Sequence, residues 1–206
     1  MREDVLNAAR VMAVEKGWDA VSLAEVAARA EVSRPSIYKA FGNREGLSLA
    51  LVHREAERFL HGVDRALRQP AGDPPEILAA AVLFALREAA QNPLIAAAVR
   101  AAREGTDSLL PYLTTRSDPV VTGAQRLVRS WCRARFPHID AARADQAADV
   151  TVRLALSHIV LPPGTGTLGE AAEVITAAAL GALGRPSAPP DLPHVPSPHV
   201  TCPNVT

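Results

Sequence analysis

The sequence predicts an all-α protein, with an N-terminal three-helix unit containing a helix-turn-helix and a larger C-terminal helical domain. Apolar residues recur at helical spacing along most of the 206-residue chain. Capping residues and Pro or Gly breaks divide this pattern into segments of helical length. No segment shows the strict alternation of a strand bounded by hairpin turns. Together these observations favour helices throughout.

The first two helices are predicted from an apolar stripe and a cap. Val5, Ala9 and Met12 form the stripe, and Gly17 ends that helix as a C-terminal cap. Ser22-x-x-Glu25 then matches a capping box, in which the serine oxygen and the glutamate satisfy early backbone N–H groups reciprocally. A second helix therefore begins at Ser22.

The third helix begins after a short interruption at residues 30–33. Ser33 is its predicted cap, and Pro35 lies in the first turn, where a missing N–H costs little. Ile37 and Phe41 share the inward face. From Val32 to Arg44 inclusive, the chain has three basic residues (Arg34, Lys39 and Arg44) and no acidic one. Two short helices, a tight turn and a polar outer face are the layout of a helix-turn-helix that reads DNA.

The same segment resembles the DNA-binding region of the TetR family of bacterial transcriptional regulators. The matching residues are Gly17-Trp18, Ser22, Val26-Ala27, Ala30-Glu31-Val32-Ser33, Tyr38-x-x-Phe41 and Arg44-Glu45-x-Leu47. The chain departs from the family pattern twice. Glu31 replaces the usual glycine, which strains the turn if a positive φ is required there. Ala40 replaces the usual His or Tyr, which removes a phosphate contact.

The resemblance implies phosphate contacts, and the outward side chains of the third helix are candidates for base contacts. Phosphate contacts, which position a protein on the duplex, are expected from Ser22, Tyr38 and Arg44. Base contacts, which specify sequence, are expected from Arg34, Ser36 and Lys39, with Pro35 packing on a thymine methyl. The alternative is that Tyr38 packs in a core and the cations form only a solvated face.

The remaining chain is predicted to be helical until a proline-rich tail. A long helix from Asn43 to about Arg68 leaves the three-helix unit, and a break rich in Pro and Gly follows at residues 69–74. Residues 186–206 contain seven prolines and are expected to be a disordered tail. The predicted domains are 1–50, 51–185 and this tail. Further helices are expected at about 75–91, 94–104, 108–114, 119–135, 140–161 and 168–183.

The last two helices are apolar on nearly all sides, which predicts burial on nearly all sides. The TetR resemblance implies that they form a four-helix bundle with a second subunit, and the paired heads would then bind a palindromic site. The alternative is a well-packed monomer core. The predicted dimer residues are Leu154, Ile159, Ile175, Ala178 and Leu183.

The resemblance also implies a small effector bound among the middle helices of the C-terminal domain. A ligand of the apolar or aromatic class is expected from the apolar composition. Each candidate residue could instead be ordinary core. The candidates are Phe59, Phe84, Tyr112, Trp131 and His158.

Composition and charge exclude several other classes of protein. The 22 basic and 22 acidic residues give no net charge, so the basic character is local to the helix-turn-helix. No secretory signal and no apolar run long enough to span a bilayer are present, and Cys132 and Cys202 offer no disulfide framework. The expected location is the cytoplasm, on the nucleoid when DNA is bound.

No cofactor, metal or catalytic site is predicted. Gly164-Thr165-Gly166-Thr167-Leu168-Gly169 matches G-x-G-x-x-G, but too few residues follow for a βαβ unit, and Thr167-x-x-Glu170 reads better as a capping box. His53 and His61 lie eight residues apart on one helix, with no further ligands in their pattern. We therefore expect a regulator, most often a repressor, and not an enzyme. Two alternatives remain: a helical enzyme or ligand-binding module whose helix-turn-helix is structural, and a scaffold whose final helices bind a different protein.

Overall fold

A computed structural model describes residues 1–70, 72–96, 118–161 and 166–184 of the chain. The N-terminal unit, called the head below, contains α1 (Arg2–Lys16), a 3₁₀ turn (Trp18–Ala20), α2 (Leu23–Arg29) and α3 (Arg34–Phe41). The long helix α4 (Arg44–Leu67) begins in the head and runs out of it. The 3₁₀ turn was not predicted from the sequence.

The remaining part, called the body, contains four long helices in the described ranges. These are α5 (Pro74–Gln91), α6 (Asp118–Arg135), α7 (Ala141–Val160) and α8 (Leu168–Gly184). Their bounds agree with the predicted segments to within one residue at each end. Residues 93–96 are also helical. No strand occurs in the described parts of the chain, which confirms the all-α prediction.

Helix starts follow the capping residues that the sequence contains. Ser22 and Glu25 form both halves of a capping box at α2, and Thr167 and Glu170 form the same reciprocal pair at α8. Ser33 Oγ accepts from Ser36 N at 3.3 Å, and Asn43 Oδ1 accepts from Gly46 N at 2.8 Å. Thr167 therefore caps the start of α8, as the sequence predicted.

The buried apolar residues form two separate clusters that share α4. The head cluster is built on α1, α2 and α3, and it includes Leu47 and Leu51 from the first half of α4. The body cluster includes Val63 and Leu67 from the second half of the same helix. Leu94, just after α5, is 5% exposed and belongs to the head cluster. Thus α4 and the segment after α5 both connect the body to the head.

Two glycines let the body helices approach α4 closely. A Cβ at Gly62 of α4 would lie 2.3 Å from Cζ of Phe84 on α5. A Cβ at Gly123 of α6 would lie 2.6 Å from Cδ1 of Leu60 on α4. In the rest of the body, α7 packs between α6 and α8, and α8 also contacts α5. No helix in the described ranges is long and apolar enough to cross a membrane.

The structure changes the prediction for the last two helices. Ile175 and Leu183 are 0% and 7% exposed and lie in the body cluster, because α8 packs on both α5 and α7 of its own chain. The outer face of α8 is instead formed by Val174, Ala177 and Gly181, all of which are exposed. The exposed fraction of Val174 is 61%. These two predicted dimer residues therefore belong to the monomer core. Leu154, Ile159 and Ala178 are half-buried.

Several predictions concern residues outside the described ranges. These are Tyr112, most of the predicted helix at 94–104, the whole of that at 108–114, and the proline-rich tail from residue 186.

Candidate nucleic-acid interface and ligand cavity

Helix α3 buries one face and presents the other outward. Ile37 and Phe41 are 1% and 8% exposed and fix the helix on the head core. Tyr38 is 55% exposed although it is a large aromatic residue. Lys39 and the first-turn residues Arg34 and Pro35 are also exposed. Among the described residues, the side chains of Arg34, Tyr38 and Lys39 have no hydrogen-bond or ion-pair partner.

The ends of α3 are held by groups within the head. Ser36 is half-buried, and its hydroxyl lies 2.7 Å from that of Ser33. At the other end the guanidinium of Arg2 lies 4.7 Å from the centre of the Phe41 ring, and its Nη1 donates to the Ala40 carbonyl at 3.4 Å. A cation at a helix C-terminus is stabilised by the helix dipole. Arg2 could not be recognised as part of this site from the sequence, since only the fold brings it close to Ala40.

The turn before α3 has the strain that the glycine replacement suggested. Glu31 has a φ of 54°, in the left-handed region, and is the non-glycine residue with positive φ in the described chain. Its N–H donates to the Ala28 carbonyl at 3.3 Å, and Val32 N donates to the Ala27 carbonyl at 3.0 Å. This pair of bonds is a Schellman motif, whose left-handed position strongly favours glycine.

Arg44, predicted to hold a phosphate, is bound within the head. Its Nε donates to the Val21 carbonyl at 3.0 Å, and its Nη2 donates to the Trp18 carbonyl at 2.5 Å and to Asp19 Oδ1 at 3.2 Å. The guanidinium also lies 5.4 Å from the centre of the Trp18 ring. Arg44 therefore ties the start of α4 to the turn that precedes α2.

Ser22, the other predicted phosphate contact outside α3, is likewise engaged. Its hydroxyl accepts from Glu25 N and donates to Glu25 Oε2 at 2.6 Å. Lys16 Nζ lies 2.6 Å from the other oxygen of that carboxylate. Hydrogen bonds from Lys16 and then Ser22 lower the pKa of Glu25 to about 2. Ser22 thus acts first as the cap of α2, with a carboxylate beside its hydroxyl.

The junction of α3 and α4 allows no side chain at Gly46. A Cβ there would lie 1.9 Å from the Phe41 carbonyl oxygen, and that oxygen belongs to the last residue of α3. Backbone cannot yield as a flexible side chain can, so any larger residue would displace α3 relative to α4. This close approach could not be predicted locally, because Gly46 occupies an ordinary early position in a helix.

A second tie joins α4 to α1 deeper in the head. The side chain of Arg54 is 10% exposed, and its Nη1 donates to Asn7 Oδ1 at 2.8 Å and lies 3.3 Å from Glu3 Oε2. Its Nη2 donates to Glu55 Oε1 at 2.9 Å, and Arg10 Nε lies 3.3 Å from the other oxygen of Glu55. Helix α1 is therefore fixed to the first half of α4 by an ionic network centred on the largely buried Arg54.

A cavity of about 100 Å³ lies in the body between α4, α5, α6 and α7. Its wall includes Phe59 from α4, Ala81 from α5, Val128 from α6 and Ile159 from α7. Thr151 also contributes, but its hydroxyl donates to the Ala147 carbonyl at 2.7 Å. The surface that faces the cavity is entirely apolar.

Of the predicted effector residues, the structure places Phe59 in the cavity wall. Phe84 instead packs over Gly62, and Trp131 lies edge-to-face with Phe136 at a centroid distance of 6.0 Å. His158 Nδ1 lies 2.9 Å from the Leu154 carbonyl oxygen. These three do not line the cavity. Ile159, predicted at the dimer interface, does line it.

An exposed polar face on α3 of a three-helix head, joined through α4 to a helical body with an apolar cavity, is the layout of a helix-turn-helix regulator. Comparison with protein families agrees. Residues 5–51 match the model of bacterial regulatory proteins of the tetR family, and residues 73–180 match that of the bacterial tetracyclin repressor C-terminal domain. The chain belongs to the TetR family of transcriptional regulators, which are not enzymes.

Individual relatives support the same assignment. The chain is 32% identical over 168 residues to the HTH-type transcriptional regulator AlkX of Mycobacterium tuberculosis, covering 79% of this chain and 76% of that protein. It is 34% identical over 83 residues to the transcriptional activator FasR of Mycolicibacterium smegmatis, covering 40% of this chain and 38% of FasR. The crystal structure of the TetR family repressor AlkX from a Dietzia strain, implicated in biodegradation of n-alkanes, superposes with a TM-score of 0.66 and 28% identity, covering 88% of this chain and 94% of that one.

Proposed function

We propose that this regulator binds a palindromic DNA operator as a homodimer, represses transcription there, and is released by a small apolar or aromatic effector. The observation that carries the DNA-binding assignment is the outer face of α3. Arg34, Tyr38 and Lys39 are exposed there without intramolecular partners in the described chain. Long polar side chains that the fold does not use are available to a duplex. The protein would act in the cytoplasm, on the nucleoid.

The proposed contacts follow from the position of each side chain on α3. Tyr38 would donate to a phosphate, while Arg34, Ser36 and Lys39 would reach base edges in the major groove. Pro35 is exposed in the first turn and would pack on a thymine methyl. Arg44 and Ser22 are proposed as supports of the head, because their polar groups are already bonded inside it.

Homodimerisation is proposed through the outer faces of α7 and α8. Val174 and Leu161 are 61% and 70% exposed, and Ala177, Ala178 and Gly181 form a small-residue surface beside Val174. Large exposed apolar side chains next to small residues favour close packing of a second helix pair. Two-fold symmetry would then place two α3 helices on half-sites about one helical turn apart or a multiple of it.

Release by an effector is proposed through the body cavity. Helix α4 lines that cavity with Phe59 and carries Leu47 and Leu51 in the head core. A ligand that binds one arrangement of α4 better than another shifts the population of head positions. Heads that no longer match the half-sites would release the operator.

DNA binding is tested in two steps. An operator duplex is first selected with the wild-type protein, and the affinity of each variant for that duplex is then measured by titration at fixed salt. Lys39→Ala and Tyr38→Ala should each weaken binding about 10- to 100-fold, since each removes one contact worth about 1–3 kcal/mol. Their thermal midpoints should stay within about 1–2 °C of wild type, because exposed side chains contribute little stability.

The matched control for this test is Arg65→Ala, which removes one exposed cation from α4 in the body. It should leave the affinity nearly unchanged. Equal affinities for wild type, Lys39→Ala and Tyr38→Ala would refute the assignment of α3 as the reading helix.

A further inference from the structure

A cation from α1 lies on the last turn of α3. The guanidinium carbon of Arg2 is 4.7 Å from the centre of the Phe41 ring, and its Nη1 donates to the Ala40 carbonyl at 3.4 Å. Tyr38 and Lys39, in the same turn of α3, are exposed and are proposed above as DNA contacts. The positive charge of Arg2 is therefore held at the end of the helix that would enter the major groove.

The charge of Arg2 is not neutralised within the part of the chain that the structure describes. Its two contacts there, an aromatic ring and a backbone carbonyl, carry no formal charge. The two carboxylates that follow it in α1 are paired with other groups: Glu3 Oε2 lies 3.3 Å from Arg54 Nη1, and Asp4 pairs with the amino group of Met1. Because the Arg2 side chain is exposed, an anion can approach it.

The guanidinium of Arg2 also has N–H donors to spare. A guanidinium carries five of them, and the bond to Ala40 occupies one nitrogen. Phosphate is a stronger acceptor than a neutral carbonyl, because the hydrogen bond is charge-assisted, and arginine can bind it through two parallel N–H groups. Phe41 is 8% exposed in the head core and holds the guanidinium in place. A side chain held by packing loses less freedom on binding than a mobile one.

The length of α3 places its last turn close to the DNA backbone. The helix has eight residues. At about 1.5 Å per residue it is about 12 Å long, and the major groove of B-DNA is also about 12 Å wide. A recognition helix contacts base edges mainly with its N-terminal residues. The last turn of α3, which lies about one groove width away, is then beside the phosphates that line the groove.

We propose that Arg2 donates to a backbone phosphate of the operator at the C-terminal end of α3, and so adds a DNA contact from outside the helix-turn-helix. This inference rests on the proposed function, since it adds a contact to the same DNA surface. The group that Arg2 recognises is the phosphodiester anion, which every duplex presents whatever its sequence. The contact therefore raises affinity and positions the head without specifying bases.

The first experiment titrates the full chain with the selected operator at several salt concentrations. Arg2→Ala should weaken binding about 10-fold for each bound head at low salt. It should also make the slope of log K against log salt less steep by about 0.9 for each head, because one phosphate fewer is neutralised. Arg2→Lys keeps a cation that binds phosphate and should recover the slope.

Arg65→Ala is the matched control, because it removes the same charge from an exposed position in the body. It should change neither the affinity nor the slope. An Arg2→Ala variant with the same affinity and the same slope as wild type would overturn the proposal.

A purely structural role, in which Arg2 only caps the end of α3, predicts a different result. Loss of a cap would disturb the whole outer face of α3, so binding to the operator would fall more than binding to a random duplex. Loss of a phosphate contact should weaken both by a similar factor, because both duplexes present the same backbone. A lower ratio of operator affinity to random-duplex affinity, with an unchanged salt slope, would overturn the phosphate contact.

Stability is measured alongside these affinities. The thermal midpoint of Arg2→Ala should stay within about 1–2 °C of wild type, because the side chain is exposed. If that variant is unstable, Arg2→Gln takes its place, since it keeps a donor for the Ala40 carbonyl and removes the charge. It should show the same change in slope as Arg2→Ala.

Neutral methylphosphonates identify the phosphate that Arg2 contacts. Each phosphate of the operator is replaced in turn, and the affinities of wild type and Arg2→Ala are compared. At one position in each half-site the replacement should weaken wild type and have no further effect on Arg2→Ala, because the same contact is already lost. If every replacement weakens both proteins equally, the proposal is wrong.

Lys39→Ala separates failure of this contact from failure of the proposed function. If Lys39→Ala weakens operator binding while Arg2→Ala changes neither affinity nor slope, the Arg2 contact is wrong and DNA binding by α3 stands. If the wild-type protein selects no duplex, the proposed function and the Arg2 contact are both overturned.

Discussion

The guanidinium of Arg44 has three acceptors in its own chain: the carbonyls of Val21 and Trp18 and the carboxylate of Asp19. All three lie in the turn that leads into α2. The planar fork of arginine supplies donors in fixed directions, which lysine cannot reproduce. The residue therefore positions α2 and the start of α4, and through them α3.

This role predicts a particular salt dependence for Arg44→Ala. Affinity for operator should fall, because the head is less well ordered, but the slope of log K against log salt should stay the same. A lost phosphate contact would instead reduce that slope by about 1. The measurement is a set of titrations at several salt concentrations.

Arg44→Lys is the control, since it keeps the positive charge but lacks the planar set of N–H donors of the guanidinium group. It should weaken binding nearly as much as Arg44→Ala. A reduced slope in the alanine variant together with recovery in the lysine variant would show that Arg44 contacts phosphate after all.

At the scale of the elements, the turn between α2 and α3 carries strain that a single substitution can remove. Glu31 holds a φ of 54° at the left-handed position of the Schellman motif. Left-handed backbone costs a residue with a Cβ roughly 1–2 kcal/mol, whereas glycine adopts it freely. Glu31→Gly should therefore stabilise the protein by about 0.5–1 kcal/mol after the entropy cost of glycine is included.

Thermal unfolding checks this prediction, with an expected rise in the midpoint of about 1–4 °C. Glu31→Ala is the matched control, because it removes the same charge and keeps the Cβ. No gain is expected for alanine. Equal stabilisation by alanine and glycine would mean that the charge of Glu31, and not its backbone, is the source of the strain.

The elements themselves could be predicted because their signals are local. Ser22, Ser33, Asn43 and Thr167 all cap the helices that the sequence assigned to them. The exposed face of α3 also follows from the burial of Ile37 and Phe41, four residues apart. Such features need only a few neighbouring residues.

The features that the sequence did not predict are contacts between distant residues. Arg44 was expected to hold a phosphate, and its guanidinium donates to carbonyls that lie 23 to 26 residues earlier in the chain. Ile175 looked available to a partner, but α5 and α7 of the same chain cover it. Trp131 and Phe84 looked suitable for a ligand pocket, but each packs on a nearby side chain or glycine. Periodicity shows that a residue is apolar, and only the packing decides what covers it.

For the whole molecule, the important feature is that two cores share one helix. The head core takes Leu47 and Leu51 from α4, and the body core takes Val63 and Leu67. Arg54 ties α4 to α1 between these two sets. Leu94 enters the head core from the segment that follows α5, and α5 lines the cavity. A structural change in the body can therefore reach the head through α4 and through the segment that follows α5.

This arrangement suits a regulator whose input and output lie in different cores. An effector can shift the operator affinity only by the difference in its own affinity for the two head arrangements. A tightly packed α4 favours a few discrete arrangements over a continuous range. The DNA-binding assignment remains the foundation of this account.

The most direct test of that assignment is selection of binding sites from random duplex DNA with the purified, ligand-free protein at low salt. We expect enrichment of a palindrome whose half-sites are about one helical turn apart or a multiple of it. Enrichment should be much weaker with Lys39→Ala and unchanged with Arg65→Ala. A folded wild-type protein that enriches no sequence, or a Lys39→Ala variant that enriches the same sequence as strongly as wild type, would contradict DNA binding by α3.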